Sequence, residues 1–347
     1  MNTLYQQQQQ RKHLSLNEQQ QQQQRLNTMI NTNNNNNNVL LLHNRFLPLF
    51  KNPSTPPSSS TDIYYALDTI TNQHCILKML KQSHNTFLND HSSKLINEDS
   101  ILKRLSHVNI IKLITEISLP FRIKGKKDII YIPLEYAGNG DLLSIVNMSN
   151  EITHSGLSEN ASLFLFEQLM NGVQFIHSKG ICHRDIKLDN IFITDEFEVK
   201  LGDFENAECF VKGGSTELVK MKDKIGTEMY MAPEMHFLHN ENMFYYGNQV
   251  DIFACGIVLI AMLTGKQVFE TTNDCDFYFR KFCYTPNEFF TLFEGYCSED
   301  VVELIKLMIE IDGSKRANAE QICNWEGFKK VNINEAKKEL KQIICKG

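Results

Sequence analysis

From Phe46 onward the chain shows two kinds of pattern. Asp62-Ile-Tyr-Tyr-Ala-Leu67 and Gln73-His-Cys-Ile-Leu-Lys-Met-Leu80 are short, β-prone runs separated by a turn-like Thr71-Asn72. They predict a β-hairpin. Leu95, Ile101, Leu102 and Leu105 lie near helical spacing and predict a helix over 92–106. Ile129–Glu135 reads as a further strand, with Pro133 suggesting a sheet edge or an irregular hydrogen-bond position. Beyond about residue 140 the pattern turns helical. Ser158 is placed to cap a helix carrying Phe164, Leu165, Leu169, Val173 and Ile176 on one side. Asp251–Leu263 is apolar all round, as a buried helix is, and Val301–Ile311 is amphipathic. The expected organisation is a small strand-rich front and a larger helical back.

Composition changes this picture mainly at the N-terminus. Residues 1–43 hold Gln6–Gln10, Gln19–Gln24 and Asn33–Asn38 with few aromatics. Such a segment buries too little apolar area to offset its ordering entropy and is expected to be disordered. A neutral repeat expansion is the favoured reading, with a self-association tail as its alternative. Elsewhere, 42% hydrophobic residues suffice for a sizeable core. A net charge of −6 gives no basic excess for a nucleic-acid partner. No long apolar run or signal-peptide pattern is evident, so no membrane association is expected. Nine scattered cysteines without a C-x-x-C pair imply reduced thiols in a cytoplasmic or nuclear setting rather than a disulfide framework or a zinc ribbon.

The candidate chemistry lies in His183-Arg-Asp-Ile-Lys-Leu-Asp-Asn190, followed thirteen residues later by Asp203-Phe204. Phosphoryl transfer from a nucleotide needs a carboxylate to orient the attacking hydroxyl, oxygen ligands for Mg²⁺ and a cation near the transferring phosphate. Asp185, Asn190, Asp203 and Lys187 supply those parts. A strand–turn–strand from Ile191 to Leu201 can carry Asp203 back toward the loop. Each residue alone has a plainer reading as a turn, surface or core residue. The conjunction carries the argument.

With those residues the chain resembles the eukaryotic protein kinases of serine/threonine type from about residue 44 to 331. Met231-Ala-Pro-Glu234 looks like the motif ending the activation segment, Asp251–Gly256 like the helix that buries an aspartate under the catalytic loop, and Arg316 like the partner of Glu234. The resemblance implies an α+β, two-lobed fold with a β-rich N-lobe over about 44–137, a helical C-lobe over about 138–331 and a tail over 332–347. It implies ATP and Mg²⁺ as cofactors, with Mn²⁺ as a substitute, and protein substrates. Asp185 and Lys187 become catalytic, and Asn190 and Asp203 metal-binding. Lys78, paired with Glu98, anchors phosphates. Ile63, Ile76, Leu134, Glu135 and Ala137 surround the adenine, and Asp141 meets the ribose. Thr227 is implied to lie beside Asp185, and Arg184 to receive a phosphate from Ser215 or Thr216, with an unmodified, flexible Gly213-Gly-Ser-Thr216 loop as the equal alternative.

Three positions depart from the family pattern. The phosphate-covering loop reads Pro56-Pro-Ser-Ser-Ser-Thr61, without glycine, so fewer backbone N–H groups can approach phosphate. Ile76 stands where alanine is usual, and Glu205 where glycine follows Asp203-Phe204. These changes spare the ionic residues, which makes catalysis the leading reading and a pseudokinase scaffold its alternative.

Overall fold

The computed structural model describes residues 41–53, 55, 59–81, 90–115, 130–212, 216–237 and 243–346, with the main chain alone for 90–93. The expectations for residues 1–40, for Pro56–Ser58 and for Ser215 lie outside the described residues. The chain divides into two compact units. Of the described residues, one takes those up to Arg104 together with those from Ile111 to Tyr136, and the other takes Leu105–Ile110 together with those from Ala137 to Lys346.

The first unit is a four-stranded antiparallel sheet in the order β1 (Phe46–Lys51), β2 (Thr61–Asp68), β3 (Gln73–Leu80), β4 (Tyr131–Glu135), joined by the helix Asp90–Leu102. The predicted hairpin is β2–β3, in unbroken register from Thr61↔Leu80 to Asp68↔Gln73. Both prolines in the sheet sit on outer strands, Pro48 beside a register shift in β1 and Pro133 in β4. A proline removes a ladder donor, so an outer strand tolerates it where a central one does not. Side-chain alternation gives the sheet two faces. One carries Ala66, Cys75, Leu77 and Tyr131, which pack with Leu42 and Phe46 into a buried cluster. Arg45 pins this region by a bidentate contact to the buried Asp68, at 2.8 and 2.7 Å.

The second unit is mainly helical. Ser158 accepts the Ala161 amide and starts the helix Glu159–Ser178, as its position predicted. That helix buries Phe164, Leu165, Leu169, Val173 and Ile176. The helix Gly247–Thr264 is long and apolar enough to cross a membrane by length and composition, but 89% of it is buried inside the unit, as for a core helix. The amphipathic helix begins and ends earlier than its pattern suggested, at Glu299–Met308. Asp312 turns the chain there by accepting the Ser314 amide, leaving Ile311 exposed. Residues Ile333–Lys346 form a helix that packs on Glu159–Ser178 and buries Ala336, Leu340 and Ile343.

Candidate active site

In the first unit the β2–β3–β4 register decides which side chains are neighbours. Ile63 pairs with Lys78, which pairs with Ile132, and Ile76 pairs with Leu134. Ile63, Ile76, Lys78 and Leu134 therefore share the sheet face opposite the Cys75–Leu77 cluster. The Lys78 ammonium lies 2.7 Å from the Glu98 carboxylate, and both residues are buried. A fully buried carboxylate beside a buried ammonium needs this contact, because either charge alone would be costly to desolvate. Glu135 pairs with Cys75, so its side chain belongs to the other face. Its carboxylate accepts the Lys112 amide at 3.0 Å. Ser59, in the glycine-free loop, turns its hydroxyl onto the Thr61 carbonyl at 2.9 Å. That contact is a local serine turn and gives the hydroxyl a partner within its own loop.

In the second unit the candidate residues converge on one loop. Strands β5 (Ile181–Cys182), β6 (Ile191–Ile193) and β7 (Val199–Leu201) frame it, and β6 pairs with β7 as the sequence suggested. Asp251, 1% exposed, accepts the backbone amides of His183 and Arg184, each at 2.8 Å. Buried amides must find acceptors, and here a helix side chain supplies them where the loop has no ladder. His183 bridges the loop to the Gly202 carbonyl at 2.9 Å and packs on the buried Phe204 ring. The imidazole is thus a brace between two segments.

Asp185 is buried, and its oxygens are divided between partners. Thr227 donates to Oδ1 at 2.8 Å, and Lys187 donates to Oδ2 at 3.0 Å. Lys187 also reaches Thr227 Oγ1 at 2.9 Å. Burial alone would lower the Lys187 pKa, but Asp185, with Asp189 and Asp203, raises it above the ordinary lysine value. The amine therefore stays a cation at neutral pH. The Asn190 amide nitrogen is committed to the Asp185 carbonyl at 2.9 Å, which leaves its Oδ1 as the side chain's acceptor. Asp203 occupies a left-handed conformation, φ 63°, immediately after β7. Asp141, implied to meet a ribose, also caps the helix Leu142–Thr153, accepting the Ser144 amide and hydroxyl at 2.8 and 2.7 Å. Ala137 is buried at the start of the unit's continuous segment.

One expectation outside the loop meets its partner, and one within the loop meets a different one. Arg316 grips Glu234 through two nitrogens at 2.7 and 2.8 Å. Arg184 carries a carboxylate already, since Asp223 accepts from its Nη1. Asp223 and its neighbour Tyr245 were not among the predicted site residues. The only sequence trace was one acid within Lys220-Met-Lys-Asp-Lys224.

A profile described as "Protein kinase domain" matches residues 59–327, well over half of the chain. Among curated proteins, the chain is 29% identical over 283 residues to serine/threonine-protein kinase PKH2 of Candida albicans, covering 80% of this chain and 28% of that protein. It is 32% identical over 215 residues to CBL-interacting serine/threonine-protein kinase 17 of Arabidopsis thaliana, covering 62% and 45%. It is 27% identical over 299 residues to serine/threonine-protein kinase HAL4/SAT4 of Saccharomyces cerevisiae, covering 84% and 44%. The chain therefore spans less than half the length of these three relatives. A strand-rich unit with a buried lysine–glutamate pair, a helical unit with the Asp185 loop, and a matching domain profile agree: the chain belongs to the protein kinase family.

Proposed function

We propose that the protein transfers the γ-phosphate of ATP to serine or threonine hydroxyls of protein substrates. The observation that carries this reading is the buried Asp185 carboxylate, which is held by Thr227 and Lys187 with Asn190 behind it. In this role Asp185 orients the attacking hydroxyl and accepts its proton. Lys187, kept charged by its acidic neighbours, balances negative charge on the transferring group. Lys78, fixed by Glu98, anchors the α- and β-phosphates. Ile63, Ile76 and Leu134 share one apolar sheet face suited to an adenine ring; the family resemblance assigns Glu135 and Ala137 to the adenine and Asp141 to the ribose.

The donor set suits magnesium. Among the described residues no group of three or more His, Cys, Asp or Glu is arranged to hold a metal. Mg²⁺ is commonly bound by one or two carboxylates together with phosphate oxygens and water. Asp203 and the Asn190 Oδ1 are hard oxygen donors of that kind. A bound Mg²⁺, or Mn²⁺ in its place, neutralises phosphate charge. Ser/Thr specificity is supported by Lys187 two residues after Asp185 and by the names of the relatives. The buried Lys78–Glu98 pair favours an enzyme over a scaffold, because both groups remain despite the glycine-free loop.

The test is transfer of labelled γ-phosphate to a generic Ser/Thr substrate with Mg²⁺ or Mn²⁺, comparing wild type with Asp185→Ala. Wild type is expected to transfer and the variant to lose about 10²–10⁴-fold, the usual contribution of a positioned base. Equal activity in both would refute the role of Asp185. A silent wild type with no thermal shift on adding Mg·ATP would favour the scaffold.

A further inference from the structure

Arg184 sits in the left-handed region, φ 64°, which places its guanidinium inside the unit rather than in solvent. Nε donates to the Asn206 carbonyl at 2.8 Å. Nη1 donates to both Asp223 oxygens, at 3.0 and 2.9 Å, and to the Tyr245 hydroxyl at 3.3 Å. Glu208 stands farther off, 3.6 Å from Nη2. Tyr245 completes the cluster. Its hydroxyl donates to the Asp223 carbonyl at 3.0 Å, and its main chain exchanges two hydrogen bonds with Met221, each 3.0 Å. The segment 221–223 is thereby tied both to Arg184 and to Tyr245.

Four residues further on, the same segment delivers Thr227 to Asp185 and Lys187. Residues 184–185 and 223–227 thus form a two-rung clamp, Arg184–Asp223 and Asp185–Thr227. Between the rungs the chains approach closely. Gly226 has φ 105°, and a Cβ there would lie 2.6 Å from the Arg184 carbonyl oxygen. The guanidinium is buried and the Asp223 side chain half exposed, so the contact is a charge-assisted pair at the edge of the unit with water on the carboxylate's outer side. In this chain the anion is a genetically encoded carboxylate.

We propose that Asp223 is a positioning residue: its carboxylate on Arg184 seats the 221–227 segment so that Thr227 reaches Asp185 without phosphorylation of the segment. This rests on the phosphotransfer reading above. It stands against the reading in which a phosphate on Ser215 or Thr216 engages Arg184. Thr216 is exposed, and Ser215 lies outside the described residues.

The experiment uses the full chain, treated with a broad-specificity phosphatase and shown to be free of phosphate by mass. Two readouts are taken for wild type, Asp223→Ala, Asp223→Glu and Thr216→Ala. The first is steady-state transfer with Mg·ATP. Dephosphorylated wild type and Thr216→Ala are expected to be equally active. Asp223→Ala should lose about 10- to 100-fold in kcat with KM for ATP little changed, the signature of a misplaced reacting geometry. Asp223→Glu should regain most of the loss, which a general packing role would not predict. The second readout is amide hydrogen exchange over 219–230 without nucleotide. It should rise in Asp223→Ala and return in Asp223→Glu. Loss of wild-type activity on phosphatase treatment overturns the proposal, as does unchanged exchange in Asp223→Ala. If no form transfers phosphate while exchange still depends on Asp223, the phosphotransfer reading falls and the clamp stands.

Discussion

In the first unit Lys78 is placed by a run of backbone pairings from Thr61 to Leu80 and by an ion pair with Glu98. In the second, Asp185 sits in a loop with no ladder: Lys187 and Asn190 of the same loop and Thr227 from a distant segment contact it, and Asp251 holds the two preceding backbone amides. A ladder positions a residue through its backbone, so side chains around it can change without moving it. A loop positions a residue through side chains, so each of those must keep its chemistry. This difference accounts for where the chain departs from its family. Ile76 and the glycine-free loop fall in the sheet unit, where β2 and β3 keep register regardless. The Asp185 loop retains every group that touches it. Glu205, the one departure in the second unit, lies in a short helical turn, Phe204–Asn206, just beyond the braced segment.

Substitutions can break this comparison. The largest effect is expected at Asp185, where alanine should cut transfer about 10²–10⁴-fold while costing less stability than the buried-pair substitutions below, because Lys187 keeps Thr227 as a partner. Calorimetry beside the transfer assay checks both. A large stability loss would show that the loop also carries the fold. Next comes Lys78→Met, which takes the cation from a buried carboxylate and should cost about 3 kcal/mol. Adding Glu98→Gln should recover most of that stability without recovering activity, as a double-mutant cycle in denaturant would report. Glu234→Ala should cost a similar amount, about 3 kcal/mol, by stranding the buried Arg316 guanidinium. Urea unfolding that leaves the midpoint unmoved would show that this pair is replaceable.

A smaller effect concerns pH and the sheet unit alone. Arg45 holds the Asp68 carboxyl well below the usual carboxylate range, mainly through their hydrogen bonds. Folding therefore favours the ionised form. Its contribution is complete above about pH 4, the unfolded value, and declines as pH falls toward the folded value. Arg45→Ala should remove about 2 kcal/mol at neutral pH and flatten the acid limb of the stability curve, since the carboxyl then titrates nearer its ordinary value. Melting temperatures between pH 2 and 7 test this, and an unchanged limb would assign acid sensitivity to other carboxylates. Ile76→Ala should be the mildest change, about 1–2 kcal/mol for a half-buried side chain, with transfer little altered. A large loss of activity there would mean that the sheet face is less tolerant than its ladder implies.

Much of the fold was legible because the signals are local. The β2–β3 hairpin, the Ser158 cap and the apolar 251–263 run each carry their information within a few residues. Boundaries were less so. Met308 ends its helix because Asp312 bonds the chain into a turn, although Ile311 continues the apolar spacing. The Asp185, Lys187 and Asn190 cluster was also legible, since these residues lie within one loop. Asp141 was less complete, because its carboxylate also serves as a helix cap.

By itself, then, the sequence determined the strand and helix order, the family and the ionic residues of the loop, all of which depend on residue type and short spacing. Only the tertiary structure decided that Glu135 turns its side chain away from the Lys78 face, that Asp251, expected beneath the loop, serves it by accepting the His183 and Arg184 amides, and that Asp223 meets Arg184. The last two pairings cross 67 and 39 residues of chain. No local propensity encodes such contacts. They follow from burial, which brings distant segments together and requires each enclosed charge and amide to find a partner.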